Sequence, residues 1–149
     1  MFTAFLEPLR WYLLIMDPAV ELLKRVSRIA VVGMSRDPQK AAHAIPLRLR
    51  SVGFEILPVN PAVDEIAGLK AHAKLADVPP PIDLVLVFRP SAEAPGIARE
   101  AVAAGARALW LQQGLVSAEA RKIAESGGLD YVEDRCTGVE VALNRIRKE

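Results

Sequence analysis

Cysteine and histidine are nearly absent from this chain of 149 residues: Cys136, His43 and His72 are all there are. One cysteine excludes an internal disulfide framework and suits a reducing cytoplasm. Two separated histidines and a lone thiol leave no tight cluster of metal-binding donors. Charge of one sign is scarce too. The net charge is +1 at pH 7, without the basic surplus of a nucleic-acid-binding surface. Long apolar runs are also missing. The stretch FTAFLEPLRWYLLIM, residues 2–16, is too short to span a bilayer and is broken by Glu7, Pro8 and Arg10. It lacks the basic leader and small-residue cleavage site of a secretory signal. Residues 1–16 therefore read as an apolar extension, resting on the domain or on a partner subunit, or as the product of an upstream start. Residues 17–149 read as one domain.

What is present is a globular composition, 52% hydrophobic and 25% charged, in a chain long enough to bury a core without staples. Its apolar residues fall into short runs. Residues 29–32 (IAVV), 54–59 (FEILPV), 84–88 (LVLVF), 108–111 (ALWL) and 129–132 read as strands, being aliphatic and bounded by glycine, proline or polar residues. Helices are expected between them. One spans 18–26 behind Asp17-Pro18, and one lies within 40–51 and closes at Gly53. A third spans 92–104, capped by Ser91. A fourth runs from Ser117 to Glu125, and a terminal helix covers 139–147. Pro46 must sit in the first turn of the second helix or kink it. The 60–83 connection, with successive prolines at 79, 80 and 81, is expected to hold short helical pieces. Apolar strands alternating with helices predict a doubly wound parallel α/β sheet of about five strands, covered on both faces. Its ligand belongs beyond the carboxyl ends of the strands.

Those ends carry the candidate residues. After the first strand stands GMSRDPQK. Gly33 allows a tight turn, and the N–H groups that follow can face an anion. The next helix brings its positive end, Ser35 a hydroxyl, and Arg36 and Lys40 charge. The loop suits a phosphate or pyrophosphate, and it also reads as a plain strand-to-helix turn. Gly33 stands alone, so the fingerprint G-x-G-x-x-G is absent. After the second strand, Val59-Asn60-Pro61 puts an amide where NAD binders carry a ribose-binding acid. Asn-Pro is equally a turn initiator. Phe88, Arg89 and Pro90 offer an apolar wall and a cation to an adenine ring. Gln112 and Gln113 are uncharged amides, and Gly114 permits close approach. In EDRC, Arg135 can favour a Cys136 thiolate, although an inert buried thiol is the simpler reading. His43 and His72 read as helix or surface residues, and no catalytic set emerges.

Taken in order, VVGMS, PVNP, VFRP, WLQQG and EDRC make the chain resemble the small stand-alone CoA-binding proteins of bacteria. These belong with the N-terminal domain of the succinyl-CoA synthetase α subunit. The resemblance covers about residues 27–140 and implies a Rossmann-like single domain holding CoA or an acyl-CoA. It implies Gly33, Met34 and Ser35 at the pyrophosphate, helped by Arg36 and Lys40. Val59, Asn60 and Pro61 would border the adenosine, with Phe88, Arg89 and Pro90 on its other side and Gln113 and Gly114 near the pantetheine arm. Related chains often carry a lysine directly after VNP. Ala62 stands here instead, so charge for the ribose 3′-phosphate would have to come from Arg36, Arg89 or Lys70. The synthetase's phosphohistidine lies in a separate domain. The expectation is thus a cytoplasmic binding protein without catalytic machinery, acting as a homo-oligomer or with a partner enzyme, and engaging neither nucleic acid nor membrane. Two alternatives stay open: an NAD(P)-binding domain of a redox sensor, and a ligand-free scaffold or regulatory subunit.

Overall fold

The computed structural model describes residues 10–11 and 15–149; most of the apolar extension expected over 1–16 lies outside the described residues. Helix α1 (Pro18–Arg25) is opened by Asp17, whose carboxylate accepts the Ala19 N–H at 3.0 Å, with Pro18 at the first helical position. The first strand, β1 (Arg28–Val32), is followed by α2 (Ala41–Ser51) and β2 (Glu55–Val59). Next comes a small hairpin of β3 (Glu65–Ile66) and β4 (Leu69–Lys70). The rest of the chain is β5 (Leu84–Val87), α3 (Ala94–Ala103), β6 (Ala108–Leu111), α4 (Ala118–Ser126), β7 (Asp130–Val132) and α5 (Thr137–Leu143).

The main sheet has the order β2-β1-β5-β6-β7, and every pairing in it is parallel. One further parallel bridge joins Val59 to His72 on the outer edge of β2. There the Asn60 N–H donates to His72 O at 2.8 Å and the His72 N–H to Pro58 O at 2.9 Å. Counted as a vestigial third strand, this bridge gives the order 3-2-1-4-5-6 of dinucleotide-binding sheets.

Strand residues alternate between two cores. Ile29, Val31, Leu84, Leu86 and Trp110 pack toward α1, α2 and α5. Ala30, Val85, Val87, Leu109 and Leu111 pack against the alanine-rich faces of α3 and α4. Every residue of β5 and β6 is buried, and each leucine there contributes about 1.5–3 kcal/mol of burial. Arg135 ties the N-terminus of α1 to this body. Its guanidinium donates to both Asp17 oxygens at 2.8 and 2.7 Å and pairs with Glu140 at 2.8 Å. That hydrogen-bonded pairing, against the opposing effect of burial, holds the Asp17 carboxyl below its ordinary range.

Three expectations need correction. The 60–83 connection contains the β3–β4 hairpin, and its helical content is one 3₁₀ turn, Leu75–Asp77. Of the two placements expected for Pro46, the structure leaves the one inside α2, beyond its first turn. Ser91 does not cap α3. It sits in a 3₁₀ turn, Ser91–Glu93, and its Oγ accepts the Val116 N–H at 3.1 Å, while α3 begins at Ala94. The terminal helix starts earlier and stops at Leu143, before Arg145 with φ 51°. No helix of the described residues is long and apolar enough to cross a membrane.

Candidate functional site

Strands are added outward in opposite directions on the two sides of the β1–β5 pair, which opens a crevice at their carboxyl ends. A cleft of about 1010 Å³ occupies it. Gly33, Met34, Ser35 and Lys40 line it from the loop after β1, Val59, Asn60 and Pro61 from the end of β2, and Phe88 and Arg89 from the end of β5. Arg36, Pro90, Gln113 and Gly114 are not among its lining residues.

Two amides of the loop after β1 have acceptors within the protein. The Gly33 N–H donates to Val59 O at 3.1 Å, and the Ser35 N–H to Ala42 O at 3.1 Å. Both amides turn into the protein, whereas the Met34 N–H between them donates to no described residue, and Met34 lines the cleft. The Ser35 hydroxyl accepts the Asp37 N–H at 3.0 Å, and His43 Nδ1–H donates to Ser35 O at 2.7 Å. Gly33 is needed for another reason. Its φ is +86°, and a Cβ there would stand 2.8 Å from Arg89 Cδ. The glycine leaves room for the Arg89 side chain, whose guanidinium pairs with Glu93 at 2.8 Å.

Further open amides lie a few residues on. The Ala41 and Ala42 amides, the first of α2, donate to no described residue. The first turn of α2 carries no acid, and the Lys40 side chain makes no cap bond. Lys40 and Ala42 both line the cleft. An uncapped helix front beside a lysine favours a phosphate group.

Asn60 is a staple between loops. Its Nδ2 donates to Met34 O at 2.9 Å, and its Oδ1 accepts the Ala62 N–H at 2.8 Å. The side chain expected to border the adenosine lines the cleft and also holds the first loop against the second. Asn60→Asp replaces the donor by a carboxylate facing a carbonyl. It should cost about 1–3 kcal/mol and lower Tm by roughly 3–10 °C in a melting experiment. An unchanged Tm would show that the staple is not made in solution.

Residues that sequence reasoning missed complete the cleft. Lys74 lines it, whereas Lys70, expected as a source of charge, does not. The His72 bridge carries Lys74 there, and a one-residue bridge leaves no hydrophobic pattern to find. Arg99 and Glu119, 3.9 Å apart, stand on the α3–α4 wall. No histidine or cysteine is among the lining residues. The carboxyl ends of β6 and β7 are knitted together instead. Gln112 Oε1 accepts from both the N–H and the hydroxyl of Thr137 at 3.0 Å. The Gly114 N–H donates to Asp134 at 2.7 Å, and Trp110 Nε1–H to Arg135 O at 2.8 Å. The EDRC segment thus serves as a fastening. Among the described residues no group of three His, Cys, Asp or Glu is placed to hold a metal ion.

A parallel sheet in this order, with an uncapped helix front at its switch point, defines a Rossmann-like α/β domain. The sequence model of the CoA binding domain family matches residues 27–142, and the chain belongs to that family. It is 41% identical over 125 residues to the uncharacterized protein YneT of Bacillus subtilis (strain 168), covering 84% of this chain and 93% of YneT. A solved structure from Pyrococcus horikoshii OT3 superposes with a TM-score of 0.82 at 31% identity, over 87% of this chain and 92% of that one. An ADP-forming acetate–CoA ligase of Methanocaldococcus jannaschii is 30% identical over 84 residues, which are 56% of this chain and 12% of the ligase.

Proposed function

We propose that this chain binds CoA, or an acyl-CoA, in the switch-point cleft and holds it without transforming it. The observation that carries this reading is the uncapped front of α2, with Lys40 and the open Ala41 and Ala42 amides, bordering the cleft of a CoA-binding-family domain. The pyrophosphate rests on that helix front. The adenosine lies along Val59 and Pro61, with Phe88 on the other side. Matching only a small part of a ligase, and with no histidine or cysteine in its cleft, the chain suits holding and presenting CoA to a partner enzyme.

The ribose 3′-phosphate is the feature that separates CoA from NAD. Lys74 lines the cleft together with Pro61 and Ala62, beside the end of β2, where a nucleotide's ribose meets such sheets. It takes the place left by Ala62 as the cation for that phosphate. The NAD(P) reading is disfavoured because Asn60 is engaged by Met34 and Ala62, and no acid stands at that strand end.

Thermal shift tests this directly. CoA at about a hundred times its Kd should stabilise the fold by about 2.7 kcal/mol, raising Tm by roughly 5–10 °C, with no shift from NAD. Lys74→Ala should weaken CoA about tenfold, the loss of one charged hydrogen bond, and leave 3′-dephospho-CoA unaffected. A shift with NAD and none with CoA reverses the reading. Equal losses for both CoA forms remove Lys74 from the 3′-phosphate.

A further inference from the structure

Pro46 stands well inside α2, buried, where a proline withholds an N–H and leaves a carbonyl one turn back without a helical partner. That carbonyl is Ala42 O, and it is not left empty. The Ser35 N–H reaches back from the loop and donates to it at 3.1 Å. His43 Nδ1–H donates to Ser35 O at 2.7 Å. Both backbone groups of Ser35 are therefore held by the first turn of α2. The same residue, Ala42, presents its N–H forward, as the first amides of a helix do, and lines the cleft.

We infer that Pro46 is a positioning residue for the ligand loop: by withholding an N–H it reserves the Ala42 carbonyl for Ser35, and so sets Met34 and Ser35 at the lip of the cleft. An N–H at position 46 would compete for Ala42 O and complete the helix ladder. The Ser35 amide would then lose its acceptor, and the loop would be held through Ser35 by His43 alone. Met34 O, tied to Asn60 at 2.9 Å, would transmit the slackening to the second loop. The helix gains regularity while the site loses definition. This inference rests on the cleft being the CoA site.

The test uses the full chain and two variants, Pro46→Ala and Pro46→Val, the second close to proline in size so that a small cavity is not mistaken for the effect. Three quantities are compared with the parent: Tm, the deuterium exchange rate of the Ser35 amide by NMR, and CoA affinity by calorimetry. Both variants are expected to melt at or above the parent's temperature, because a helix-interior proline is removed. Ser35 exchange should quicken about tenfold or more as its hydrogen bond opens. CoA should bind roughly 5–10-fold more weakly, the effect of one hydrogen bond. A proline that merely shapes the helix would move Tm and leave the other two quantities alone. Unchanged Ser35 exchange, or unchanged CoA affinity, in a folded variant overturns the inference. A parent that binds no CoA overturns the proposed function instead, and the separation of the two outcomes is visible in the parent's titration.

Discussion

Gly33→Val is expected to weaken CoA binding by about a hundredfold or more, close to 2.7 kcal/mol, and to destabilise the fold as well. Two causes act together. The backbone at Gly33 has φ +86°, where a β-branched residue is strained by about 1–3 kcal/mol. It cannot relax by rotating away, because its N–H is bonded to Val59 O at the edge of the parallel ladder. A Cβ would also stand 2.8 Å from Arg89 Cδ and 3.0 Å from Arg89 Cγ. The stem of Arg89 must move, breaking its pairing with Glu93 and swinging a long side chain across the cleft. Gly33→Ala should show the same effects in smaller degree. Adding Arg89→Ala to Gly33→Ala should recover part of the lost affinity, since the removed stem no longer collides; a double-mutant cycle measures that coupling. CoA bound equally by Gly33→Val and the parent would mean that the loop and Arg89 do not form the site.

The second large effect concerns stability. Trp110→Ala should cost about 3–5 kcal/mol, a large part of the 5–15 kcal/mol typical of a whole domain. Trp110 is fully buried in β6, and its indole N–H donates to Arg135 O at 2.8 Å. Removing it leaves a cavity in the core shared with α1, α2 and α5, and an unpartnered carbonyl. The loss spreads, because Arg135 also clamps Asp17 at the start of α1. Urea unfolding followed by far-UV circular dichroism gives the number. Trp110→Phe, which keeps most of the packing and loses the N–H, should cost about 1 kcal/mol. A cost below about 1 kcal/mol for Trp110→Ala would contradict the buried placement of the indole.

Much of this architecture is legible in the residues because the central strands are buried on both faces. The runs LVLVF and ALWL have no polar side to hide, and the glycine after IAVV marks where the first strand stops. Alternation with helices pointed to a parallel, doubly wound sheet with its crevice at the carboxyl ends of the strands, while the strand order is read from the structure. What escaped lies where tertiary contacts outweigh local chemistry. The β3–β4 hairpin turns at Ala67 and Gly68, both with positive φ. Such a turn is usually announced by Asn-Gly, and alanine conceals it inside a connection expected to hold short helical pieces. Ser91 has the composition of a cap but spends its hydroxyl on Val116 across the loop. The site was legible to the level of its loops but not its hydrogen bonds. Asn60 lines the cleft as a candidate contact, and its staple between the two loops was not legible. The Gly33 and Ser35 amides looked open and are taken, while those of Met34, Ala41 and Ala42 donate to no described residue. Lys74 carried no signal, since its place depends on a single bridge at His72.

The central claim is that the front of α2 receives the diphosphate of CoA. Titrating CoA into the uniformly ¹⁵N-labelled chain and following each backbone amide tests it most directly. The largest, saturable shifts should fall on Ala41 and Ala42, with smaller ones at Met34 and Lys74, and NAD should produce none of them. Saturable binding of CoA that leaves Ala41 and Ala42 unmoved, or no binding at all, would contradict the account.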